Sequence, residues 1–137
     1  DLLRSMNMKD GFALKTAVAK GYTICIITGG GNVGVQKRFE NLGVTDIFML
    51  RHQKLSTFLE YQKSKGLKTE QILYMGDDLP DISPMRHAGL ATCPQDAVPE
   101  VKAVAHYISH REGGQGAVRD VIEQVLKVRG DWQIPEN

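Results

Sequence analysis

The chain has 137 residues, 42% hydrophobic and 24% charged, which fits one soluble globular domain large enough to bury a core. Lysine and arginine number 17 against 16 aspartates and glutamates, a formal net charge of +1; with no basic block, neither nucleic acid nor a membrane surface is an expected partner. No apolar run is long enough to span a bilayer and no signal peptide opens the chain, while Cys25 and Cys93 lie apart in apolar segments, as buried thiols of a reducing cytoplasm do.

The chain begins at Asp1, without methionine, and runs straight into structured-looking sequence; we expect a segment upstream of it. "KDGFALKTAVAKG" reads as a helix, with Asp10 able to cap its N-terminus, Leu14, Ala17 and Val18 on one face, and Gly21 as its stop. "YTICIIT" (22–28) is a continuous β-branched run, the pattern of a strand buried on both faces. "NVGVQKRFENLG" predicts a second helix, with Val35, Phe39 and Leu42 inward and Gly43 closing it. "DIFML" (46–50) is a short strand, and "KLSTFLEYQKSKG" a third helix with Leu55, Phe58 and Leu59 inward. The strand "QILYM", the short helix "DISPMRHAG", the strand "LATCP", the short helix "AVPEVKAVA" and the strand "HYIS" follow. "GAVRDVIEQVLKVRG" closes the pattern as an amphipathic helix with Val118, Val121, Ile122 and Val125 inward, and the tail "DWQIPEN" has no period. Strand and helix alternating through short links predict right-handed crossovers and a parallel, Rossmann-like α/β sheet flanked by helices.

In such sheets ligands bind beyond the carboxyl ends of the strands. Three strands end in chemically loaded segments: "GGGN", "RHQK" and "GDDLPD". "GGGNVG" (29–34) fits the dinucleotide pattern G-x-G-x-x-G, but the next strand ends in Arg51 and His52 rather than an acidic residue for a ribose hydroxyl. Thr28 at a strand tip before Gly29 offers a hydroxyl and free amides to a phosphate, or it serves as a helix cap. Asp77, Asp78 and Asp81 crowd three carboxylates after one strand, and like charges so close call for a cation. Lys54, after the neighbouring strand, and Mg²⁺ are the candidates: Asp77 as metal ligand, Asp81 holding Lys54, and Asp78 as an outer group or helix cap. The alternative makes all three aspartates capping residues of the following helix.

Thr28 after "IIT", Lys54 at a helix start and "GDDLPD" resemble the second, third and fourth motifs of the haloacid dehalogenase superfamily of phosphatases. "NMKDGFALK", "IITGG", "KLSTFLEY", "YMGDDLPD" and "GGQGAVRDVIEQVL" are similar, in order and spacing, to the 3-deoxy-D-manno-octulosonate 8-phosphate phosphatase family over nearly the whole chain. The resemblance implies a Mg²⁺-dependent phosphatase without a large cap domain, acting on a sugar-acid phosphate through a phospho-aspartate. It places phosphate on Thr28, Gly29 and Lys54, Mg²⁺ on Asp77, and supporting roles on Asp78 and Asp81. It also implies a cytoplasmic homotetramer serving lipopolysaccharide synthesis, with "HREGGQGAVR" (110–119) as a mobile loop whose arginines meet an anionic ligand. That segment also reads as a plain flexible lead-in to the last helix.

The departures define further expectations. The family's first motif, D-x-D-G, supplies nucleophile and acid/base, and no D-x-D occurs in these residues. The chain is therefore expected to be a single domain, residues 1–137, without its nucleophile strand. Gly30 and Gln115 stand where many relatives have arginine, which opens the choice of substrate to a nine-carbon 2-keto-sugar-acid phosphate. A catalytically silent domain for binding or oligomerisation is the reading from a different class.

Overall fold

The computed structural model describes residues 8–132. The element order is α1 (Met8–Ala19), β1 (Cys25–Ile27), α2 (Val33–Asn41), β2 (Asp46–Phe48), α3 (Lys54–Lys65), β3 (Leu73–Met75), α4 (Ile82–His87), β4 (Leu90–Cys93), α5 (Pro99–Val104), β5 (Tyr107–Ile108) and α6 (Ala117–Val128). Single 3₁₀ turns, Thr69–Gln71 and Leu79–Asp81, precede β3 and α4. Every strand pairing is parallel, as the alternation predicts.

The strands form two groups, β1-β2 and β3-β4-β5. Cys25–Ile27 lie opposite Asp46–Phe48, and Leu73–Met75 opposite Leu90–Thr92. β1 and β3 thus each keep one edge without a ladder partner among the described residues. Burial follows: Ala91, Thr92 and Cys93 of the doubly paired β4 are fully enclosed, whereas all of β1 is only half-buried and Leu73 of β3 is exposed. The expectation that β1 is buried on both faces is corrected here, because an unpaired edge admits solvent beside it.

Each group has its own apolar core. Leu14, Val35, Phe39 and Val44 pack with Ile24 and Ile26 on one side; Met85, Ala91, Cys93, Ala97 and Val101 pack together on the other. α6 joins the two halves: Val118 packs into the first cluster and also lines a small cleft with Met75, Gly76, Asp77 and Pro94. Leu126, not singled out by the sequence pattern, is the most buried large residue of α6. Leu59 is exposed and Thr57 takes its inward place on α3. Both cysteines are free, and burial pushes the Cys25 thiol up to about 12, leaving it protonated and inert at neutral pH.

Asp10 caps a second helix besides the one it sits on. It lies inside the first turn of α1, nearly fully buried, and its carboxylate accepts the Arg119 amide at 2.8 Å, at the start of α6. Burial raises its pKa, while the amides of Arg119 and Gly116 and the Arg119 charge pull the other way. α6 begins at Gly116, whose φ of 105° suits glycine and which supplies no side-chain cap. The missing cap comes from α1.

No helix among the described residues is long and apolar enough to cross a membrane.

Candidate active site

The carboxyl ends of β1, β2 and β3 gather the chemistry-bearing side chains. β3 stops at Met75, and the chain turns through Gly76 into Asp77 and Asp78 before the 3₁₀ turn. Asp78 caps that turn, its Oδ1 accepting the Leu79 amide at 2.7 Å. Capping therefore describes Asp78, and Asp81 closes the capping box by accepting the Asp78 amide.

Asp81 is 2% exposed and fully engaged. Its Oδ1 accepts Lys54 Nζ at 2.9 Å and the Tyr74 hydroxyl at 2.8 Å. Its Oδ2 accepts the amides of Asp77 and Asp78 at 2.9 and 3.2 Å. A carboxylate has about four acceptor positions, so this one has none left for a metal. Burial pushes the Asp81 carboxyl up, but the Lys54 bond, the Asp77 amide and Tyr74 outweigh it and hold it below the usual range. The lowered pKa ties a share of stability to ionised Asp81, present at neutral pH and lost as the medium acidifies below the ordinary aspartate value.

Tyr74 is the residue sequence reasoning missed. It reads as one more apolar member of "QILYM", yet its ring packs edge-on against Phe58, 5.9 Å between centroids, and its hydroxyl points at Asp81. Burial and the Asp81 charge raise its pKa far above the normal phenol range, so it is a fixed donor. Tyr74→Phe is expected to cost about 1 kcal/mol and to move Asp81 titration upward, since one lowering contact is gone; thermal melts and carboxyl NMR titration check the two effects.

Gly76 has a steric reason. A Cβ there would stand 2.4 Å from the Asp81 Cβ and 2.8 Å from the Met85 Sδ, closer than real contacts allow. Gly76→Ala should displace Asp81 and cost about 1–3 kcal/mol, read as a lower urea midpoint together with a lengthened Lys54–Asp81 pair.

Asp77 differs from its neighbours. Its surface stays open to solvent, while partial burial of the carboxyl and the like charge of Asp81 raise its pKa, with Lys54 opposing. An accessible carboxylate held beside another negative group suits a small divalent cation that takes one or two carboxylates and completes its octahedron with water and phosphate oxygens. No three His, Cys, Asp or Glu residues among the described ones converge on one point, so these residues supply part of a coordination sphere.

After β1, Thr28 Oγ1 accepts the Gly30 amide at 3.2 Å, forming a tight turn. The capping alternative for Thr28 is removed, because Asn32 caps α2 by accepting the Val35 amide at 3.0 Å. After β2, Leu50 adopts φ 59°, the only positive value at a non-glycine residue among those described; the left-handed region costs a leucine about 1–2 kcal/mol.

Hydrogen bonds connect the segment 110–119 to its surroundings. The Arg111 amide donates to Ser109 Oγ at 3.0 Å and the Gly113 amide to Asp96 at 2.8 Å. Arg119 gives its Nε to Glu123 at 2.9 Å and lies over the rings of Phe12 and Trp132. Arg111 and Arg119 both line a second pocket, with His110 and Gln115.

A family model described as haloacid dehalogenase-like hydrolase matches residues 43–122, from before β2 into α6. The chain belongs to this family. Among haloacid dehalogenase-like proteins it is similar to the 3-deoxy-D-manno-octulosonate 8-phosphate phosphatases KdsC of Yersinia pestis, 32% identical over 90% of this chain and 66% of that one, and of Escherichia coli K12, 32% identical over 93% and 68%. The chain thus spans about two thirds of the length of these relatives. The structure of the Yersinia pestis phosphatase superposes with a TM-score of 0.88 at 31% identity, over 91% of this chain and 68% of that one. A Moraxella catarrhalis 3-deoxy-D-manno-octulosonate 8-phosphate phosphatase, described in complex with magnesium, phosphate and KDO, gives 0.85 at 34% identity, over 88% and 70%.

Proposed function

We propose that this haloacid dehalogenase-like chain provides the phosphate- and metal-binding part of a Mg²⁺-dependent phosphatase that hydrolyses 3-deoxy-D-manno-octulosonate 8-phosphate to the free sugar acid and phosphate. The observation that carries the reading is the Lys54–Asp81 pair, 2.9 Å apart, with Asp77 open to solvent after β3 and Lys54 following β2, the strand paired with the one that ends before Thr28.

In this reading Thr28 and Gly29 hold the phosphoryl group, and Lys54, kept in place by Asp81, directs its remaining N–H donors at the phosphoryl oxygens and the nucleophile. Asp77 would hold Mg²⁺, with Asp78 shaping the turn that presents it; bound Mg²⁺ supplies neutralisation of charge on phosphate and nucleophile. The D-x-D strand that provides nucleophile and acid/base seats between the free edges of β1 and β3, from outside these 137 residues. We further propose that the single domain works without a large cap, as a cytoplasmic homotetramer in a lipopolysaccharide-building pathway.

The absence of D-x-D favours a second reading, a silent domain that binds sugar phosphates or mediates oligomerisation. The full-length gene product, assayed for phosphate release with eight- and nine-carbon 2-keto-sugar-acid phosphates, decides among these. Release from the eight-carbon substrate with the highest kcat/KM supports the proposal; preference for the nine-carbon one, or no release from either with Mg²⁺ present, overturns it.

A further inference from the structure

We propose that His52 is a further ligand-binding residue, its imidazole completing the Thr28–Gly30 turn as a site for a phosphoryl group. The inference rests on the phosphate reading of that turn and adds a residue to it.

A β-bulge follows β2. Ile27 lies opposite Phe48, and the Thr28 amide donates to Phe48 O at 3.0 Å, as a parallel ladder requires. The next rung would bring the residue 50 amide to Thr28 O. Instead the Arg51 amide donates to Thr28 O at 2.9 Å, and the Leu50 amide goes to Gly30 O at 3.2 Å. Leu50 is the extra residue, and its left-handed φ accommodates the insertion. Its side chain is 67% exposed, so burial does not account for leucine in that conformation.

The bulge shifts residues 51–53 by one position against β1, the device by which bulges re-aim side chains. The outcome is specific. His52 Nδ1 lies 3.7 Å from the point that a Cβ on Gly29 would occupy, so the imidazole stands against the turn that begins at Thr28. A Cβ on Gly30 would meet nothing within 4 Å, which leaves room for a ligand beside the ring.

Charge favours the same assignment. Arg51 is turned over the Phe48 ring, 5.7 Å from its centroid, and Lys54 is held by Asp81. Asp77, Asp78 and Asp81 outnumber Lys54 after β3. A phosphoryl dianion entering between them gains from a donor on the Thr28 side, and an exposed imidazole supplies an N–H to an anionic oxygen. Because the bulge sets the ring's place, Leu50 is its positioning residue.

The test uses the isotopically labelled 137-residue chain, titrated with inorganic phosphate at fixed Mg²⁺ and followed by NMR at the amides of Thr28, Gly29 and Gly30 and at the His52 ring. The expected result is that amides and ring move together with one Kd. His52→Ala should raise that Kd about tenfold, the weight of one charge-assisted hydrogen bond, and His52→Gln should recover part of it. Leu50→Val, β-branched and unsuited to positive φ, should weaken binding as His52→Ala does. If the turn amides shift with an unchanged Kd in His52→Ala, or the ring stays still while they move, His52 is not a ligand and the phosphate turn stands. If no amide of the turn responds in the parent chain, the inference and the phosphate reading beneath it both fall.

Discussion

The purified 137-residue chain is expected to release no phosphate from any sugar-acid phosphate, with or without Mg²⁺. The reason lies in what the carboxylates already do. Asp81 has both oxygens saturated by Lys54, Tyr74 and two amides. Asp78 is spent on the Leu79 amide. Asp77 is the remaining carboxylate, and a residue assigned to the metal is badly placed for in-line attack, which depends on close alignment. Adding a D-x-D-G strand, in cis or as a separate piece, should restore turnover and improve solubility, since the edges of β1 and β3 that have no ladder partner among the described residues are otherwise templates for association. The measurement is phosphate release and light scattering with and without the added strand. Robust turnover by the chain alone would show that its nucleophile is among these residues and that the motif assignments are wrong.

The second large effect is at Asp77. In the complete enzyme Asp77→Asn should lower turnover by orders of magnitude and abolish Mg²⁺ binding by calorimetry, with circular dichroism unchanged because the side chain is open to solvent. Acid should act in the same direction. Burial and Asp81 raise the Asp77 pKa, so protonation, which blocks metal ligation, sets in at a higher pH than for an ordinary aspartate. The stability sign is opposite: a carboxyl whose folded pKa is raised makes the apo fold less stable as pH climbs from the ordinary aspartate value through the raised one, and Mg²⁺ relieves that loss. Near-normal rates in a well-folded Asp77→Asn protein would refute the metal role.

How much of this was legible in the sequence depends on which interactions are local. The order of elements was, because each helix and strand carries its own period. The Lys54–Asp81 pair was, because parallel strands deliver their C-terminal residues to one end of the sheet. Tyr74 was not: its ring counts as apolar in any pattern, and only the bonded geometry shows its hydroxyl on Asp81. The bulge at Leu50 was not, since nothing in "DIFMLRHQ" marks an inserted residue and leucine is a poor signal for positive φ. Asp10 was legible only as a cap. An aspartate early in a helix has the chemistry of a cap, and sequence cannot say which helix it caps.

That cross-helix cap bears on the order in which the molecule comes together. Asp10 and Arg119 are 109 positions apart, and Tyr22 and Asp131, bonded at 2.6 Å, are separated as widely. Contacts of such range are slow to find, because almost the whole chain must close a loop before they form. α1, the first of the described elements to be synthesised, has to wait for α6, the last, before its buried carboxylate meets its partners. Val118 sits on α6 and lines the cleft beside Asp77, so that wall of the site is completed only in the final stage of folding. Deleting the clasp, as in Asp10→Ala, should accordingly speed unfolding far more than it slows folding.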